Sequence, residues 1–108
     1  MFIHSRSIIF AQMNVKLNDT RFVEKAIAAV ADPYRMSILQ EIRAKGSIRC
    51  SEVVTLTGLS QPTCSHHIRL LAESELIDCR KEGRNNFLTL NRDNFKILES
   101  YFEQFTTG

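Results

Sequence analysis

The feature that most constrains this chain lies between residues 50 and 73, where two helical signals are separated by a very short turn. The first runs from about Cys50 or Ser51 to Thr57, with Val53, Val54 and Leu56 as its apolar positions. Gly58 then offers the left-handed conformation that ends a helix. Leu59-Ser60-Gln61-Pro62 restarts one at once, with Ser60 as the capping side chain and Pro62 in the first turn, where a missing N–H costs nothing. Two helices joined by so short a glycine-containing turn form a helix-turn-helix; a plain helical hairpin in a bundle is the alternative.

The flanking segments narrow that choice. Asn18-Asp19-Thr20 supplies capping side chains, and Phe22, Val23, Ala26, Ile27 and Val30 follow at helical spacing. Asp32-Pro33 opens a second helix with Met36, Ile38, Leu39 and Ile42, and Gly46 closes it. After Leu76 the period changes from helical to alternating: Ile77, Cys79 and Lys81 oppose Asp78, Arg80 and Glu82, Gly83 permits a turn, and Phe87, Leu88 and Leu90 return. This predicts a β-hairpin. From Asp93 to Phe105 the period is helical again, with Phe95, Leu98, Phe102 and Phe105 in a stripe widened by Ile97 and Tyr101. So wide an aromatic face predicts a partner helix, which makes a homodimer the expected assembly. Residues 1–18 read as an N-terminal extension in which Ile8, Ile9, Phe10 and Met13 suit a short helix, with Met13 a candidate natural start. Residues 19–108 read as one domain with dimerisation helices at both ends. The predicted fold class is mainly α with a small β-hairpin: about five helices plus a two-stranded wing.

Composition limits the function. A chain of 108 residues, 44% hydrophobic and 24% charged, is sized for one hydrophobic core. Its 14 basic and 12 acidic residues leave a net charge of only +2, so a case for nucleic acid must rest on where the charges lie. No apolar run reaches the ~20 residues a bilayer span needs. Three cysteines without a secretory signal fit reduced thiols, so a cytoplasmic location and no membrane partner are expected.

On a helix from Gln61 to Glu73, Cys64, His67, Ile68 and Leu71 fall on one side, and Pro62, Ser65, His66, Arg69 and Glu73 on the other. The first side packs inward. The second is short and hydrogen-bonding, as a helix reading base edges in a major groove requires. Gln61, Ser65 and His66 are the base-edge candidates, and Arg69 is placed for a phosphate. The hairpin tip Arg80-Lys81-Glu82-Gly83-Arg84-Asn85-Asn86 concentrates basic and amide groups around one turn, suited to phosphates or a minor groove. The expected DNA-facing set is Ser60, Gln61, Pro62, Thr63, Ser65, His66 and Arg69 with Arg80, Lys81, Arg84 and Asn85. A nucleophile with its base, or an open metal site, cannot be assembled from these residues, so no enzyme and no cofactor are expected. Cys64 and His67 are one turn apart but face inward, as a packed thiol and a hydrogen-bonded imidazole do. A winged helix that binds protein rather than DNA is the competing reading.

Three segments, Ala31-Asp32-Pro33-Tyr34-Arg35-Met36-Ser37-Ile38-Leu39, Gly58-Leu59-Ser60-Gln61-Pro62-Thr63-Cys64-Ser65-His66-His67-Ile68 and Arg80-Lys81-Glu82-Gly83-Arg84, strongly resemble the ArsR/SmtB family of winged helix-turn-helix repressors. The resemblance runs from about Ala29 to Phe105. It implies DNA contacts at Gln61, Ser65 and His66, a flanking wing, dimerisation through the first and last helices, and repression at a palindromic operator, released by a signal the residues leave unnamed. Family members that sense thiophilic metals carry Cys-x-Cys where this chain has Arg49-Cys50-Ser51, and zinc sensors use ligands on the last helix, where this chain has no histidine. No metal site is therefore expected. Cys50, Cys64 and Cys79 are the candidate thiol sensors, with Cys50 foremost because a helix start favours a thiolate.

Overall fold

The computed structural model describes residues 20–107, and the readings made for residues 1–19 lie outside them. The element order is α1 (Thr20–Val30), α2 (Pro33–Lys45), β1 (Ile48–Arg49), α3 (Cys50–Thr57), α4 (Gln61–Glu73), β2 (Ile77–Glu82), β3 (Asn85–Leu90) and α5 (Arg92–Glu103). Five helices and a small antiparallel sheet make a winged helix.

The helix starts are fixed by local chemistry. Asp32 Oδ1 accepts from the backbone N–H of Tyr34 (2.9 Å) and Arg35 (3.0 Å), and Pro33 takes the first helical position. Ser60 Oγ accepts from Thr63 N–H at 3.4 Å at the start of α4, and Asn91 Oδ1 accepts from Asn94 N–H at 3.0 Å at the start of α5. Each side chain satisfies a donor that the first helical turn leaves open. Between α3 and α4, Gly58 adopts φ +72°, and its N–H closes on Val54 carbonyl at 2.8 Å. Thr57 Oγ1 accepts from Leu59 N–H at 3.2 Å, so the turn is held by its own hydroxyl as well as by the glycine.

The sheet has strand order β1-β3-β2 and is antiparallel throughout. The hairpin pairs Ile77 with Leu90 through to Glu82 with Asn85. Gly83 takes φ +61° and Arg84 a negative φ, the sign pattern of a type II′ turn, whose twist matches the strands it joins. The expected wing has two strands; the third, Ile48–Arg49, is an addition. Ile48, Leu88 and Cys79 lie in one row across the sheet, with Ile48 and Leu88 buried.

The core draws on every helix: Phe22, Val23 and Ala26 from α1, Ile38, Leu39 and Ile42 from α2, Val53 from α3, Cys64 and Leu71 from α4, and Ile97 and Leu98 from α5. Ile48, Leu76, Ile77 and Leu88 join the wing's base to it. The predicted stripe on α5 is divided. Ile97 and Leu98 turn inward, whereas Phe102 and Phe105 are 46% and 71% exposed, packed with Tyr101 at centroid distances of 5.5 and 6.0 Å. Ile27 on α1 is also exposed, at 42%. Among the described residues, no helix is long and apolar enough to cross a membrane.

Candidate nucleic-acid interface

Helix α4 divides as its sequence predicts. Cys64, His67 and Leu71 are buried, and Ser60, Gln61, Pro62, Thr63, Ser65, His66 and Arg69 are all exposed. The Arg69 guanidinium donates to His66 Nδ1 at 3.0 Å. A guanidinium has no acceptor, so His66 must receive this bond through a lone pair, which leaves its ring proton on Nε2. The outward nitrogen of His66 is then a donor, suited to a purine N7 or a carbonyl oxygen of a base edge.

The wing turn stands beside this face. A cleft of about 380 Å³ lies between Gln61, Cys64, Ser65 and Ile68 of α4, Cys50, Ser51 and Val54 of α3, Arg49, and Arg84, Asn85 and Asn86 of the wing. Among the described residues, two guanidiniums, three amides and two hydroxyls line it and no carboxylate does, although the Arg49 guanidinium is paired with Glu52 at 3.3 Å. Such a wall attracts a polyanionic backbone while offering groups that hydrogen-bond to bases. Gln61, Ser65, Arg84 and Asn85 are thereby brought together, as the sequence predicts.

Arg80 and Lys81 stand apart from that cleft. Strand alternation puts Arg80 on the sheet face opposite to Lys81. Arg80 is paired with Glu82 at 3.1 Å, while Arg84 has no ion pair among the described residues. Arg49 is the residue missed by sequence reasoning: it precedes α3, and only the pairing of β1 with β3 brings it beside the wing. Its backbone N–H (3.4 Å) and Nε (3.3 Å) both donate to Glu52 Oε1. These bonds, the backbone one foremost, hold the Glu52 carboxyl below its ordinary range.

The cysteines differ from one another. Cys64 is 2% exposed, with Sγ 3.4 Å from Thr57 Oγ1 and 3.8 Å from Leu59 carbonyl, so it closes the base of the helix-turn-helix turn. Cys50 is half-buried and Cys79 exposed. The expectation that the helix start lowers Cys50 is corrected here: burial foremost, then the neighbouring Cys79, pushes the Cys50 thiol up. Desolvation of a thiolate outweighs one short helix's dipole at this position. Burial also raises Cys79, and Asp78 adds to it. Among the described residues, no three His, Cys, Asp or Glu side chains converge to hold a metal ion.

Comparison with known proteins agrees with this geometry. Residues 30–80 match a family model described as a helix-turn-helix domain. An uncharacterized HTH-type transcriptional regulator of Methanocaldococcus jannaschii is 34% identical over 70 residues, covering 65% of this chain and 79% of the relative. The arsenical resistance operon repressor of Staphylococcus xylosus is 31% identical over 67 residues, 62% of this chain and 64% of that protein. The crystal structure of an ArsR family transcriptional regulator superposes with a TM-score of 0.73 at 23% identity, covering 81% of this chain and 89% of the other. The chain belongs to the helix-turn-helix transcriptional regulators and, among them, is similar to ArsR-family repressors. As one of these regulators it is a DNA-binding protein and not an enzyme.

Proposed function

We propose that this chain is an ArsR/SmtB repressor that binds a palindromic double-stranded operator as a homodimer and represses transcription there. The observation that carries the reading is the cleft in which the exposed face of α4 meets Arg84 and Asn85 of the wing, with Arg49 alongside. In this account Gln61, Ser65 and His66 read base edges, Ser60, Pro62 and Thr63 set the helix end against the backbone, and Arg69, Lys81, Arg84 and Asn85 hold phosphates or the minor groove. Arg80, paired with Glu82 at 3.1 Å, adds little to the wing's charge. Dimerisation is supported by the exposed Phe102 and Phe105, which pack on the partly buried Tyr101, and by Ile27, whose apolar surface a second copy would cover.

Release by cadmium, zinc or arsenite is not part of this account, because the donor set those ions need is not gathered among the described residues. Thiol chemistry, if it regulates the protein, acts at the half-buried Cys50 or the exposed Cys79 rather than at Cys64, which is 2% exposed.

Selection of duplexes from a random-sequence library, with sedimentation of the free protein, tests the whole reading. The expected result is a dimer that enriches an inverted repeat with half-site centres about one helical turn apart. A monomer, or recovery of no common sequence, would refute it.

A further inference from the structure

The inner side of α4 carries a polar link that the reading of its outer side does not use. Arg35, in the first turn of α2, donates through Nε to Ala29 carbonyl (2.6 Å), through Nη2 to Ala28 carbonyl (3.2 Å) and through Nη1 to His67 Nδ1 (3.1 Å). The first two bonds fix a cation on carbonyls at the C-terminal end of α1, where the helix dipole favours it. The third crosses to the inward face of α4. Asp32 orients the same arginine from behind, accepting from its backbone N–H at 3.0 Å. One guanidinium thus ties three helices together.

We infer that Arg35 is a positioning residue for the recognition helix, and that protonation of His67 breaks its hold. The inference rests on the reading of α4 as the helix that reads DNA. Because a guanidinium only donates, His67 must accept at Nδ1 and carry its proton on Nε2. When a proton from solvent binds Nδ1, that lone pair is gone and two cations face each other. Arg35 is held by the α1 carbonyls and gives up both bonds if it turns away. His67 is 8% exposed, with its ring 5.9 Å from Tyr34, so it cannot swing freely into water either. Relief comes by movement of α4, and His66, on the outer face, moves with it. The groups facing His67 are Asp32, Tyr34 and Arg35 of α2 and His66 of its own helix, while Lys25 of α1 and Glu73 of α4 share a small cavity with Arg35. Asp32 attracts His67, and its attraction is spent on Arg35 as well.

The test uses two variants of the full chain, the duplex that the wild-type protein selects from a random library, and random DNA of equal length. Arg35→Met keeps the aliphatic stem and removes every donor. It should keep wild-type helix content and random-DNA binding but bind the selected duplex about tenfold more weakly, as loss of a charge-assisted bond predicts. His67→Asn places an amide oxygen near the position of Nδ1 and cannot be protonated. On acidification, wild-type affinity for the selected duplex should fall about tenfold further than that of His67→Asn. His66 is present in both proteins, so the readout is the difference between their two acid responses. Wild-type binding of the selected duplex by Arg35→Met, or an acid response of His67→Asn equal to that of wild type, overturns the inference. Should Arg35→Met fail to fold, the pH profile of His67→Asn decides alone. Failure of the wild-type protein to select any duplex would instead refute the DNA-reading role itself.

Discussion

Arg84 and Arg80 lie four residues apart on the same wing, yet their surroundings predict different effects on DNA binding. Arg84 lines the cleft beside α4 and has no ion pair among the described residues, so its charge is available to a phosphate. Arg80 is held by Glu82 at 3.1 Å, and that pair has no net charge. Each phosphate neutralised on duplex DNA contributes ~0.9 to the slope of log affinity against log salt. A dimer presents two copies of Arg84, so Arg84→Ala should flatten the slope by about 1.8. Over a fourfold rise in salt, from about 50 to about 200 mM, the wild-type protein should then lose about twelvefold more affinity than Arg84→Ala. Arg80→Ala should change the slope by less than half as much. Fluorescence anisotropy titrations on the selected duplex and on random DNA, at four or five salt concentrations, measure all three proteins directly. Arg84→Ala should weaken both DNAs alike. Equal slope changes for the two variants, or an Arg84→Ala defect confined to the selected duplex, would refute the assignment of Arg84 to the backbone and Arg80 to its ion pair.

Asp32→Ala removes the acceptor for two backbone donors at the start of α2, and should lower stability by about 1 kcal/mol in urea unfolding near neutral pH. The Asp32 carboxyl is held below its ordinary value, first by the Arg35 backbone N–H, so its contribution is complete above the unfolded-state value and lost as pH falls through the folded one. The wild-type advantage over Asp32→Ala should therefore shrink in acid, and an advantage that grew there would contradict the cap. Burial raises the Cys50 thiol, so iodoacetamide should alkylate it more slowly at neutral pH than a free thiol, with the rate rising as pH increases; mass spectrometry of a Cys79→Ser variant isolates the site, and faster-than-free alkylation would contradict the burial. Phe102→Glu with Phe105→Glu should shift the sedimenting species from dimer to monomer while leaving the helix content unchanged.

The parts of the fold that were legible in the sequence are those set by neighbours in the chain. Asp32-Pro33 and Ser60-Gln61-Pro62 mark helix starts because a cap acts over two or three residues. Gly83 marks the wing turn because few other residues accept its conformation. The outward set on α4 followed from its 3.6-residue period. What the sequence hid depends on distant partners. Strand β1 has only two residues, too few to show alternation, and exists through pairing with Leu88 and Phe87. Arg49 reaches the cleft by that pairing. The hydrogen bond from Arg35 to His67 spans 32 positions. Cys50 was misjudged because a helix start is visible in sequence while the burial that opposes it is not. The aromatic stripe of α5 read as one face, but Ile97 and Leu98 belong to the chain's own core and only its far end stays exposed.

The account turns on Gln61 and His66 reading base edges from the exposed face of α4. Affinities of Gln61→Ala and His66→Ala for the selected duplex and for random DNA of the same length measure that claim most directly. The account predicts a loss of about 1–3 kcal/mol per half-site on the selected duplex and almost none on random DNA. Equal losses on both DNAs, or none on the selected duplex, would contradict it.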